Sequence, residues 1–168
     1  MVGTGHNAAA SQFGAPLGIK INEIKCFDEL SMTGRGQRTI GNVQKEPDGS
    51  WGPAKVRYPT CILEVGESQS KPSLDNSARL WLKSPGPHIS QVIMVKIYPA
   101  GPELVFEVWV KAQQDKPEAR MEQKVKVIWR DGMPKAEKHL RISFEILFER
   151  KPRWGTAEKD ILFFRRGT

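Results

Sequence analysis

The 168-residue chain is the size of one domain and, at 39% hydrophobic residues, can fill one core; charges or prolines interrupt every apolar run short of the roughly 18–20 residues of a membrane-spanning helix. Its formal net charge of +7 and pI near 9.5 point to an anionic partner, and the excess is C-terminal: residues 111–168 carry 15 Lys and Arg against 9 Asp and Glu, residues 1–110 carry 11 against 10. The two cysteines, Cys26 and Cys61, lie outside any CxxC or Cys/His cluster, which argues against a cysteine-held zinc site and predicts buried thiols.

Residues 1–15, rich in Gly, Ala and Ser, show no apolar period and lack the basic start and apolar block of a secretory signal. They are expected as a flexible segment ahead of a domain spanning 16–168, in an intracellular protein of the nucleus or cytoplasm. From Leu17, the residues Ile21, Ile24, Phe27 and Leu30 recur every three or four positions, predicting an amphipathic helix that stops at Thr33-Gly34. Short segments follow: residues 39–44, then Pro47-Asp48-Gly49-Ser50, then the apolar run 60–65, which reads as a central strand interrupted only by Glu64. Residues 73–83 put Leu74, Ala78, Trp81 and Leu82 on one helix face, with Ser73 as N-cap. Residues 91–98 and 104–110 predict a hairpin, and 124–129 alternate as a strand. Leu140, Ile142, Phe144, Ile146 and Phe148 predict another strand with a period of two, and 161–164 a last short one. This order reads as an α/β (α+β) fold, a central mixed sheet flanked by a few helices.

An ionised Glu64 among Ile62, Leu63 and Val65 needs a cation, a donor or an exit to solvent. If Asp48 stands on a neighbouring strand, two carboxylates meet, and such a pair repels unless a hard divalent ion lies between them. Two plainer readings stay open: Pro-Asp-Gly-Ser is a good turn, and Glu64 can end its strand exposed. His6, His88 and His139 are scattered and no Gly-x-Ser-x-Gly elbow accompanies them, so a protease or esterase has no support.

The segments "KEPDGSWGP", "YPTCILEVGESQS", "ARLWLKS" and "VIMVKI" resemble the restriction-endonuclease-like (PD-(D/E)XK) nucleases, and within them a group of small fungal proteins. The resemblance implies a restriction-endonuclease-like fold and metal-dependent hydrolysis of nucleic acid, DNA rather than RNA. Mg²⁺ or Mn²⁺ would be held by Asp48 and Glu64, with the Val65 carbonyl and a first-helix carboxylate, Glu23 ahead of Glu29, as further ligands. The pattern departs at Gly66, which stands where relatives place a lysine; Gln69, Lys71, Arg79 and Lys83 are the candidates to replace it, and weakened activity is expected. The alternative is a catalytically inactive nucleic-acid-binding or protein-interaction module of the same fold, alone or as a homodimer. Lys124, Lys126, Arg150, Lys151, Arg153, Arg165 and Arg166 are the candidate phosphate contacts, with Trp154 or Trp51 to stack a base. Solvated edge-strand faces explain the same residues.

Overall fold

The computed structural model describes residues 4–34, 36–56, 58–83, 88–101, 103–113 and 116–164. Helix α1 (Thr4–Glu23) is followed by strands β1 (Leu30–Met32), β2 (Arg38–Ile40), β3 (Val43–Lys45), β4 (Gly49–Pro53) and β5 (Cys61–Gly66), then helix α2 (Lys71–Leu82). Next come β6 (Gln91–Tyr98), β7 (Glu103–Gln113), β8 (Lys116–Arg130), β9 (Met133–Ala136), β10 (Leu140–Ile142), helix α3 (Phe144–Phe148) and β11 (Ile161–Phe163). The central mixed sheet expected from the sequence is present, and its seven strands run in the order β1-β4-β5-β6-β7-β8-β9. Among the described residues only β5 and β6 pair in parallel, because α2 carries the chain back across the sheet between them.

Strand β5 is buried along its whole length because its alternate side chains feed two cores. Cys61, Leu63 and Val65 pack with Phe13, Leu17 and Ile21 of α1, whereas Ile62 packs with Leu74, Ala78, Trp81 and Leu82 of α2. The four apolar residues read from the sequence are thus the buried face of α2, although its N-cap is Ser70, three positions before Ser73. Both cysteines are free and buried. Among the described residues no helix is long and apolar enough to cross a membrane.

Two expectations are corrected. Helix α1 starts at Thr4, so most of the segment expected to lack regular structure is helical, anchored by Ala10 and Phe13 in the core. It ends at Glu23 rather than near Thr33 because Lys25 takes a left-handed backbone (φ 61°) and closes a Schellman motif, Cys26 N donating to Ile21 O (3.1 Å) and Lys25 N to Asn22 O (3.0 Å). Phe27, expected on the buried face, is 61% exposed. The second correction is that 140–148 is not one strand. The Ser143 hydroxyl accepts from Ile146 N and starts α3, which buries Phe144, Leu147 and Phe148 at helical spacing.

Candidate active site

Asp48 stands just before β4, where the antiparallel ladder to β5 has its last pair, Gly49 with Leu63. Its N–H donates to Leu63 O (3.0 Å), and its Oδ2 accepts from Val65 N (2.7 Å), so the side chain continues the ladder where the strand leaves off. Pro47-Asp48-Gly49 thus bends into β4 at Asp48 and pairs across to β5 instead of forming a turn. Gly49 keeps this approach open: a Cβ there would lie 2.8 Å from the Trp51 ring.

Glu64 is only 4% exposed, which removes the exposed strand-end reading. Its Oε1 accepts from Trp81 Nε1 (2.6 Å) and its Oε2 from Lys45 Nζ (2.8 Å). Burial pushes the Glu64 pKa up; Lys45 and Trp81 pull it back, and the neighbouring Asp48 charge adds to the rise. Lys45 also stands 5.6 Å from the Trp81 ring centre. It arrives on the β2–β3 hairpin, in which Arg38 and Lys45 are direct cross-strand partners. The two acidic residues sixteen positions apart are thus neighbours, and the ammonium that meets Glu64 comes from upstream rather than from the β5 strand.

Gly66 shares the Glu64 face, two residues on, and a Cβ there would lie 2.6 Å from both Leu74 δ-carbons. The motif's lysine position is filled by α2. None of the four expected substitutes reaches Glu64 in a recorded contact. Lys71 pairs with Asp75 and with the buried Glu107 (3.0 Å); burial alone would lower its pKa, but these two carboxylates outweigh it and raise it. Gln69 is exposed and offers its main-chain carbonyl to Lys96 (2.6 Å). Arg79 lies over the Trp109 ring, and Lys83 is exposed at the end of α2.

Glu23 sits at the far end of α1, lining a groove with Lys20, His139 and Lys159. The part of α1 beside Asp48 presents Ala10, Gly14 and Ala15, and eight residues of helix separate Ala15 from Glu23, about 12 Å. The first helix therefore brings no carboxylate from Glu23 to Asp48. Glu29 is held by Arg150 (2.7 Å) and Arg153.

The expected basic surface is largely paired. Lys124 meets Glu107 (3.5 Å), Lys126 meets Glu103 (2.6 Å), and Arg150 and Arg153 both bind Glu158 at 2.7 Å. These arginines hold the Glu158 and Glu29 carboxyls below the usual range. Cys26, Glu29 and Glu158 cluster closely enough for a metal, but the two arginines already neutralise both acids. Lys151 is exposed, and Arg165 and Arg166 lie outside the described residues. Trp154 is fully exposed, whereas Trp51 is buried in the α1-side core and cannot stack a base.

Sequence reasoning missed Lys45, Trp81 as a donor, and Glu107. An indole on a buried helix face needs an acceptor for its N–H, which was the available signal for the pairing with Glu64.

No family model matches the chain, and no curated protein is significantly similar to it. Among solved structures, a crystal structure described as a "putative nuclease belonging to DUF820" from Anabaena variabilis superposes with a TM-score of 0.50 at 15% identity, over 72% of this chain and 68% of that one. The likeness shows the fold: a mixed sheet of a nuclease-like kind.

Proposed function

We propose that the chain is a nuclease-like protein of the restriction-endonuclease-like superfamily that hydrolyses nucleic-acid phosphodiesters, DNA in preference to RNA, with a divalent ion held between Asp48 and Glu64. The observation that carries this reading is the junction of Asp48, Glu64 and Lys45 at the end of the β4–β5 ladder. The donor set fits the group: two carboxylates supply hard oxygen ligands, and their mutual repulsion is what a bound Mg²⁺ or Mn²⁺ relieves. The Val65 carbonyl leaves β5 on the same side as its N–H, toward Asp48, and so remains a ligand candidate. When bound, the ion supplies charge neutralisation and an acidified water.

This chain's own residues do the rest. Asp48 is fixed by the Val65 amide, and Glu64 is aimed by the Trp81 indole. Lys45 takes over the ammonium role that Gly66 cannot fill, placed to stabilise charge on a phosphoryl oxygen. The test is incubation with single- and double-stranded DNA and RNA in Mg²⁺ or Mn²⁺. Cleavage that Asp48→Asn, Glu64→Gln and Lys45→Met each abolish is expected; cleavage that survives them overturns the assignment.

A second reading is favoured by a specific observation. Both Glu64 oxygens already have partners, and Leu74 fills the space beside Gly66, which suits a binding module that kept the scaffold and gave up the chemistry. Salt-dependent binding without cleavage would identify it.

A further inference from the structure

A cavity of about 250 Å³ lies behind the carboxylate pair, between the β2–β3 hairpin and the start of β6. Arg38, Thr39, Ile40, Tyr58, Trp81 and His88 line it. Trp81 is shared with the site already described, since its indole N–H goes to Glu64 while its ring forms part of this wall. The two sites are therefore neighbours with separate polar groups.

The polar groups of the cavity are unusual. Arg38 Nε and His88 Nδ1 are both buried atoms without a hydrogen-bond partner among the described residues. Among the described residues no Asp or Glu lines the cavity. The nearby carboxylates have other duties: Glu64 accepts from Lys45 and Trp81, and Glu149 accepts from the Tyr58 hydroxyl at 3.1 Å. Burial of Arg38 lowers its pKa from the usual arginine value, yet a guanidinium keeps its charge in a protein. A cation with its Nε enclosed and no counterion among the described residues is costly, and buried donors without acceptors are rare enough to call for an explanation. His88 is held in place by stacking on Tyr58, ring centres 3.4 Å apart, so its orphan nitrogen is presented rather than loose.

We propose that this cavity is a binding site for a phosphate group, with Arg38 supplying the guanidinium and His88 a ring nitrogen. Guanidinium geometry matches phosphate oxygens, and the ring nitrogen can take a further one. The volume limits the ligand. Pockets for drug-sized molecules run from about 300 to 1,000 Å³, so this one takes a phosphate with little attached to it, either a free phosphate or the terminal phosphate of a strand. The proposal does not depend on the hydrolysis reading, because it uses none of the residues assigned to the ion.

The experiment is titration of the full chain with inorganic phosphate against chloride at matched ionic strength, read by calorimetry and by thermal stabilisation. Wild-type protein is expected to bind phosphate, Arg38→Gln to bind it about tenfold or more weakly, and His88→Gln to show a smaller loss. Lys135→Gln, which removes an equal charge on exposed β9, is expected to bind like wild type. In phosphate-free buffer Arg38→Gln should be at least as stable as wild type, since it removes a partly buried guanidinium whose enclosed Nε has no acceptor among the described residues. A destabilised Arg38→Gln would assign the arginine a structural role and overturn the proposal, as would phosphate binding unchanged by it or a wild-type response no greater than that to chloride. A short oligonucleotide with and without a 5′-phosphate separates the sources: competition only by the phosphorylated strand assigns a strand terminus, and competition by neither assigns a free phosphate.

Discussion

Gly66 stands where the motif that the sequence resembles has a lysine, and a single methyl group there measures how firmly the glycine is built in. In Gly66→Ala the new Cβ would lie 2.6 Å from both Leu74 δ-carbons and 3.0 Å from Cγ, against roughly 3.5–4.0 Å for an ordinary carbon contact. Leu74 is 2% exposed and packs with Ile62 and Ala78, so it must move into filled space. Overpacking of this kind costs about 1–3 kcal/mol. Against it, Gly66 has no left-handed backbone to protect, and alanine recovers about 0.5–1 kcal/mol of glycine's backbone entropy. The net expectation is a loss of about 0–2.5 kcal/mol, or very roughly 0–10 °C in melting temperature for a domain of this size. Urea unfolding at constant m-value reads it directly. The sign is decisive, because if Leu74 can slide aside at no cost, Gly66→Ala becomes stabilising. The double variant sharpens the test. Leu74→Ala alone should cost about 2–5 kcal/mol, but once that side chain is gone Gly66→Ala should be neutral or favourable, a coupling of about 1–2 kcal/mol. Additive effects of the two substitutions, or a more stable Gly66→Ala, would refute the filled-position account.

Two further expectations concern the charged groups. Lys45→Met leaves Glu64 buried with Trp81 as its remaining partner; a fully buried broken pair costs about 3–5 kcal/mol, and Lys45's partial exposure reduces the expectation to about 1–3 kcal/mol by urea unfolding. Burial raises the folded pKa of Glu64, so its contribution is fully present below the unfolded value of about 4.3 and is lost as pH rises through the folded one. The deficit of Lys45→Met against wild type should accordingly be smaller at pH 5 than at pH 8, and an equal deficit at both would count against it. Glu29 and Glu158 run the other way: Arg150 and Arg153 depress their folded pKa values, so their contribution is present above about pH 4.3 and is lost as pH falls through the lower folded values. Urea midpoints between pH 2 and 6 should fall more steeply for wild type than for Arg150→Gln, and parallel profiles would show that the cluster does not drive acid unfolding.

The elements that the sequence foreshadowed are those in which one force dominates. Strand β5 reads correctly because both its faces are apolar, and α2 because Leu74, Ala78, Trp81 and Leu82 keep a helical period with prolines beyond. Helix α1 is harder to see because Gly14, Pro16 and Gly18 are poor helix formers, and tertiary burial of Ala10, Phe13 and Leu17 overrides them. Its end was hidden for a related reason: the left-handed residue is Lys25, not the glycine that usually marks such a stop. The alternation from Leu140 to Phe148 misleads because Phe144 and Phe148 are spaced for a helix as well as for a strand, and only the Ser143 cap decides. At the candidate site, the meeting of Asp48 with Glu64 was legible from the motif. Lys45 was not, because the contact depends on how the short β2–β3 hairpin folds over Trp81, which no local period encodes.

The formal charge also changes meaning once the fold is known. Counterion release depends on how many phosphates the protein's cations can neutralise, and a lysine or arginine already paired with a carboxylate must surrender that partner first. Lys124, Lys126, Arg150 and Arg153 are four of the residues that made the C-terminal half look like a nucleic-acid surface, and each has such a partner. The local excess of positive charge around them is therefore small. Arg38 shows the opposite balance. It lies in the half of the chain with almost no net charge, yet its enclosed Nε has no acceptor among the described residues, and no acid lines the cavity it borders. An enclosed guanidinium nitrogen without an acceptor, at the wall of a cavity, marks a place for an anion more strongly than any count of surface lysines.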